Sequence, residues 1–249
     1  MVSKVARLVP NSFRPRLRAV LKRYRVTRGP ARGRGRALKA EAAFWERWFA
    51  LPEADLERRL DPGVDDPAVL ECLSRLPGEE AAVLDVGAGP LSTLGTRAAG
   101  KRVRLTAVDP LADCYDETLA KVGVTPLVRT LRCSGEELLD RFEPASFDIA
   151  FAENALDHCV DPLTVIRNMV AVVRRGGFVI LNHATDEAEH AGYGSVHQWN
   201  FRDEQGRCIL WRPGSKHDLA EALRGVTVHC RTEKRLDRER VVCLIERHD

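Results

Sequence analysis

The chain has 249 residues, 44% of them apolar and 30% charged, which suits one large domain or one domain with an appendage and excludes a wholly disordered chain. No window approaches the roughly 18 uninterrupted apolar residues of a membrane span, and the first residues lack a signal-peptide-like apolar stretch, so a soluble cytoplasmic protein is expected. The net charge of +3 hides a division: residues 1–40 hold thirteen Lys and Arg and no acid, leaving 26 basic against 36 acidic residues in the rest.

Within the basic arm, Leu17, Val20, Leu21 and Tyr24 recur at helical spacing among Arg16, Arg18, Lys22, Arg23 and Arg25. That pattern predicts a short amphipathic helix, and Gly29-Pro30 and Gly33/Gly35 predict a linker running to residue 37. Two roles stand open for the arm. One is peripheral contact with an anionic surface of lipid, nucleic acid or acidic protein; the other is packing on the chain's own acidic body. Residues 38–66 read as a helical cap whose aromatic cluster, Phe44, Trp45, Trp48 and Phe49, packs against the main domain.

From residue 67 onward, strands and helices alternate. Apolar runs predict strands at 81–86, 103–108, 126–131, 147–152, 178–182, 226–231 and 240–246, and helices are expected at about 92–99, 111–122, 135–142, 162–174 and 215–224. This order predicts an α/β fold with a mostly parallel sheet covered on both faces, whose ligand lies beyond the carboxyl ends of the strands. Seven cysteines, odd in number and without a C-x-x-C pair, argue against both a disulfide framework and a zinc-binding motif.

The chemistry follows the strands. Asp85-Val86-Gly87-Ala88-Gly89-Pro90 leaves the first strand with two glycines where main chain must approach a ligand closely, and Ser92 or Thr93 is placed to cap a helix after it. A pyrophosphate loop calls for glycine or alanine at position 92, where serine stands, and Pro90 removes an amide. Asp109, twenty residues after Gly89, can accept both hydroxyls of a ribose. An adenosine ligand without pyrophosphate points to S-adenosylmethionine.

The segments V-L-D-V-G-A-G-P-L, A-V-D-P-L, S-G-E-E-L, F-D-I-A-F-A-E-N-A-L-D-H and V-V-R-R-G-G-F-V-I-L resemble class I S-adenosylmethionine-dependent methyltransferases from about Leu70 to the C-terminus. F-W-E-R-W and V-H-Q-W-N-F further resemble uncharacterised bacterial methyltransferases of polysaccharide and other small-molecule pathways. The resemblance implies a Rossmann-like seven-stranded sheet ending in an antiparallel hairpin, within a domain spanning 67–249. It also implies that Asp85, Gly87 and Gly89 meet the methionine and ribose end, Asp109 the ribose, and Pro110 and Leu111 the adenine face. Related enzymes often place an acid after the third strand against the adenine amino group; here Ser134-Gly135 occupies that turn and Glu136 follows. Glu153 and Asn154 would flank the methionine moiety.

A hydroxyl acceptor needs a proton acceptor, and histidine is the natural choice. His197, then His183, then His158 are the candidates, with residues 183–212 as a substrate-covering insert walled by Trp199, Phe201 and Trp211. His183, Asp186, Glu187 and His190 also resemble a metal cluster by composition, but a solvated acidic loop is the expected reading and no metal is assigned. The leading function is methyl transfer to a small molecule or saccharide. RNA or protein methylation using the basic arm, a non-catalytic cofactor-binding subunit, and an NAD-dependent oxidoreductase are the competing readings.

Overall fold

The computed structural model describes residues 31–51, 55–98, 100–194, 196–235 and 238–248. The basic helix expected at residues 17–24 lies outside them. Helix α1 (Ala31–Trp48) and the short α2 (Leu56–Leu60) lead to α3 (Pro67–Arg75), which the Asp66 carboxylate caps by accepting from the amides of Ala68 and Val69. Gly33 and Gly35, expected in a linker, fall inside α1. No helix among the described residues is long and apolar enough to cross a membrane.

Strand β1 (Glu80–Val86) is buried in all but its first residue and pairs in parallel with β3 (Lys101–Asp109) on one side and β5 (Phe147–Glu153) on the other. Beyond β5 lie β6 (Val173–Ala184), parallel to it, then β11 (Arg238–Arg247), antiparallel, and β10 (Val226–Arg235) at the edge. The two-residue strands β2 (Arg97–Ala98) and β4 (Leu131–Arg132) flank β3, giving eight strands in this sheet among the described residues. The sheet is Rossmann-like as expected but has eight strands among the described residues where seven were expected, the two-residue β2 and β4 both lying at β3, and the antiparallel hairpin inserts its last strand between β6 and β10.

Alternation along β1 sends Ala82, Leu84 and Val86 into one core and Ala81 and Val83 into the other. The first core is covered by α6 (Pro162–Val172) through Val165, Ile166 and Met169, and the second by α3 through Val69, Cys72 and Leu73. Helices α4 (Ala112–Val122), α5 (Leu138–Arg141) and α6 supply the crossovers that parallel neighbours require.

Three expectations are corrected. No helix forms at 92–98, the described part of the segment expected as a helix at 92–99. The amides of Thr96 and Arg97 instead donate to Pro62 O (2.8 Å each), Gly63 bridges Arg97, and Gly95 lies so close to the Pro62 and Gly63 backbone that a side chain would collide. With Thr93, Gly95 and Thr96 in it, the segment is a poor helix former, and tertiary pairing wins. The strand expected at 126–131 shrinks to Leu131–Arg132. The helix expected at 215–224 is β9 (Ser215–Asp218) followed by one turn, α8 (Leu219–Ala222), capped by Asp218.

The insert is ordered as α7 (Glu187–His190) and a separate antiparallel sheet of β7 (Asn200–Glu204), β8 (Arg207–Arg212) and β9. Trp199 and Phe201, expected as walls of an open substrate cavity, are buried in the first core beside Cys208, Leu210 and Leu219. Their apolar surface is what attaches the small sheet to the large one.

Candidate active site

The residues expected to hold the donor sit where β1 and β3 stop. Gly87 and Gly89 both adopt left-handed backbone (φ 77° and 65°), which fits glycine at these turns. A side chain on Gly87 would run into Ala155, and one on Gly89 would sit 2.8 Å from the Trp45 indole. The Gly89 amide donates to Asp109 Oδ2 (3.2 Å), the Leu111 amide to Asp109 Oδ1 (2.8 Å), and the Thr130 hydroxyl to Gly89 O (2.8 Å). One carboxylate therefore ties the glycine turn to the start of the segment after β3.

Asp85 is buried beneath this turn and accepts from the Ser92 hydroxyl at 2.6 Å, so Ser92 serves the carboxylate and not a helix terminus. Burial pushes both Asp85 and Asp109 up to about 7, against hydrogen bonds that favour the ionised forms. Two acids this close to giving up their charge gain from hydroxyl or cationic partners. The residues present therefore fit an adenosyl sulfonium ligand.

Helix α1 roofs this end. Trp45 packs over Gly89 and edge-on to Tyr115 (6.4 Å), donates to Glu41 (3.1 Å), and joins Leu38, Ala42, Leu111, Cys114 and Tyr115 in a small core. Leu111 is thus packed under α1. Arg59 holds the roof down, donating to Leu91 O (2.8 Å) while its guanidinium lies over the rings of Trp45 and Trp48. The arrangement made by Glu41, Arg59, Tyr115 and Thr130 was missed in the sequence, where only the aromatic cluster signalled a cap.

The residues expected near the acceptor lie at and beyond the ends of β5 and β6. Glu153 accepts from Arg240 (3.0 Å), and Asn154, in left-handed backbone (φ 46°), accepts from the Ala184 amide (2.9 Å). Arg240 reaches over from β11 to Asn182 Oδ1 (2.6 Å), Asn182 O (2.9 Å) and Asn154 (3.3 Å) as well, clamping the tips of three strands. No sequence motif marks it. Glu136 Oε1 accepts from the Val160 amide (3.1 Å), tying the turn after β4 to the turn after β5.

The candidate histidines meet around one carboxylate. A single turn at Leu156–His158 buries Asp157, whose carbonyl accepts from the amides of Gln198 and Trp199 and so fastens the insert. His197 Nδ1 lies 2.6 Å from Asp157 Oδ2; His158 Nε2 lies 3.4 Å from the same oxygen and 3.2 Å from His197 Nδ1. Burial alone would raise the Asp157 pKa, but His158 and the His197 hydrogen bond outweigh it and hold the carboxyl below its usual range. The same hydrogen bond raises His197 above an ordinary histidine, against burial.

His183 is a correction. It lies inside β6, not in an exposed insert, stacked on Phe201 (4.2 Å, 15°) with both ring nitrogens buried and unpartnered. Burial drives its pKa down to about 3, which leaves it too weak a base to take an alcohol's proton. The expected solvated loop is likewise corrected: Asp186 is buried and accepts from Arg202 (2.8 Å) and Trp211 (2.8 Å), while Glu187 pairs with Arg238 (3.2 Å). Those pairings disperse the cluster imagined at 183–190. The charge of Glu41 on α1 bears on both Asp109 and His197.

Residues 84–181 match the family model described as a methyltransferase domain. A highly reducing polyketide synthase of Gibberella zeae is 30% identical over 148 residues, which is 51% of this chain; the chain spans only 5% of that much longer protein. Among solved structures, the Burkholderia thailandensis 1,6-didemethyltoxoflavin-N1-methyltransferase, with S-adenosylhomocysteine bound, aligns over 90% of this chain and 94% of its own at TM-score 0.50 and 19% identity. A methyltransferase from Haloferax volcanii, solved with the Trm112 methyltransferase activator, aligns over 84% and 97% at TM-score 0.52 and 14% identity. Residues 84–181 thus match a methyltransferase domain, and the strand order, the glycine turn and its two buried acids give the chain the fold of these solved methyltransferases.

Proposed function

We propose that the acceptor is a hydroxyl of a small molecule or saccharide, with His197 as the base and Asp157 holding it. The observation that carries this reading is the 2.6 Å contact between His197 Nδ1 and Asp157 Oδ2 at the tip of β5. With Nδ1 facing the carboxylate, Nε2 is the atom left to accept a proton. Bound S-adenosylmethionine supplies an already activated methyl group, so the protein's work is to align the acceptor and remove its proton. Asp109 would hold the ribose, the glycine turn and Asp85 the methionine end, and Glu153 and Asn154 the boundary between donor and acceptor. The roof of Trp45 and Glu41 would keep water out.

The small-molecule class draws support from the Burkholderia enzyme, whose name gives a small heterocyclic acceptor. The similarity to part of a polyketide synthase favours, as a second reading, an acceptor of polyketide type. Readings that use the basic arm, RNA or protein methylation or a partner-docking subunit, rest on residues outside the described ones. Incubating the purified protein with methyl-labelled donor and panels of saccharides, phenols, polyketide thioesters and RNA tests all of these. Label on a hydroxyl compound, lost in His197→Ala, is expected; label on RNA alone would overturn the proposal.

A further inference from the structure

The same three groups that would activate the acceptor also have the geometry of a metal-binding site. His197 Nδ1, His158 Nε2 and Asp157 Oδ2 are separated by 2.6, 3.2 and 3.4 Å, so two imidazole nitrogens and one carboxylate oxygen converge on a single point. A first-row cation with ligand bonds of about 2.0–2.2 Å holds its protein ligands about 3 Å apart. Two imidazoles and a carboxylate on one side of an ion, with the other positions open, is a recurrent site for such cations. Among the described residues these are the only three His, Cys, Asp or Glu side chains whose ligand atoms gather this closely.

Without a metal, the His197 Nδ1–H can be shared between Asp157 Oδ2 and the His158 Nε2 lone pair. A cation satisfies all three atoms together. The surroundings suit one: Asp157 is buried, His158 and His197 are each about a quarter exposed, and the neighbouring buried His183 has no hydrogen-bond partner on either nitrogen.

We propose that Asp157, His158 and His197 form a binding site for a first-row divalent cation, with open positions facing the acceptor. The proposal rests on reading this cluster as the acceptor end. A cation on His197 Nδ1 leaves the remaining ring proton on Nε2, so the loaded protein cannot use His197 as a base. Held by Asp157, His158 and His197, the cation would polarise the acceptor hydroxyl, so that its proton could leave to solvent as the sulfur–methyl bond breaks and the oxygen–methyl bond forms.

The test is titration of the metal-free full-length protein with Co(II) alone, followed by absorption, with S-adenosylhomocysteine calorimetry on the same preparation. One equivalent of Co(II) is expected to bind with visible bands of nitrogen and oxygen ligation and no sulfur charge-transfer band. His158→Gln and Asp157→Asn should each weaken binding at least about tenfold, while His190→Ala, outside the cluster, leaves it unchanged. S-adenosylhomocysteine affinity and thermal melting check that each variant is folded. No Co(II) binding, binding that survives both variants, or a sulfur band from Cys208, Cys230 and Cys243 would overturn the cation site. If the adenosyl ligand still binds in that case, the methyltransferase reading of the cleft stands.

Discussion

The proposed donor and acceptor ends are built in opposite ways. The donor end is local: Asp85, Gly87 and Gly89 lie on one strand-turn segment, and Asp109 closes the neighbouring strand twenty residues later, in register with β1. The acceptor end is assembled from four distant pieces: the turn after β5, the end of β6, the insert that carries His197, and Arg240 from β11. A site made by adjacent parallel strands follows from the sheet itself. One made by an insert and a late strand depends on how those pieces dock, and it is there that related folds can differ in acceptor.

If the donor end is a carboxylate-and-glycine cradle, its loss should be the largest effect. Asp109→Ala removes a charged acceptor of two ribose hydroxyls, each worth about 1.5–3 kcal/mol, so calorimetry should show S-adenosylhomocysteine affinity falling by at least about a hundredfold. His197→Ala should sharpen the contrast by lowering kcat about 10²–10⁴-fold while the dissociation constant of the adenosyl ligand stays put. A parallel loss of binding would show that the two ends are not separable.

Smaller effects concern protons. In protein kept free of metal, the His197 base is competent only above its raised pKa, so kcat/KM should climb with pH through a value above the ordinary histidine range. Asp157→Asn removes the cause of that elevation, moving the rise to lower pH and reducing the plateau. At the donor end, folded Asp85 and Asp109 retain protons up to about pH 7 that the unfolded chain releases near pH 4. The ligand-free protein should therefore melt at lower temperature as pH rises from about 4 to about 7, because the folded state binds more protons across that window. Binding that favours ionised Asp109 should release a proton near pH 7, visible as a buffer-dependent calorimetric enthalpy. Smallest of all, removing residues 1–30 should leave donor affinity unchanged; a loss above about threefold would join the arm to the cleft.

Legibility followed the same division. The strands at 81–86, 103–108 and 147–152 were readable because buried parallel strands are continuous apolar runs, and the acid-glycine spacing was readable because main chain and one carboxylate must do specific work there. The helix at 92–99 misled because hydrophobic spacing does not report that Pro62 offers its carbonyl to Thr96 and Arg97. His183 misled because a polar neighbourhood in sequence was mistaken for one in space: β6 runs on through Ala184, and Phe201 from the insert closes over the ring. Asp157 passed as an ordinary residue beside a candidate histidine, since nothing in a linear chain shows that residue 197 will arrive 2.6 Å away.

By itself the amino-acid order determined the alternating α/β class and the acid-glycine turn at the end of β1, since each depends on periodicity and on neighbours close along the strand. Tertiary structure alone decided that Trp45 roofs Gly89, that Arg240 clamps three strand tips, and that two histidines share one buried carboxylate. Those contacts join residues dozens of positions apart, through α1 docking on the glycine turn, β11 pairing with β6 and the insert burying its apolar face against the main sheet, all set only when the chain has folded.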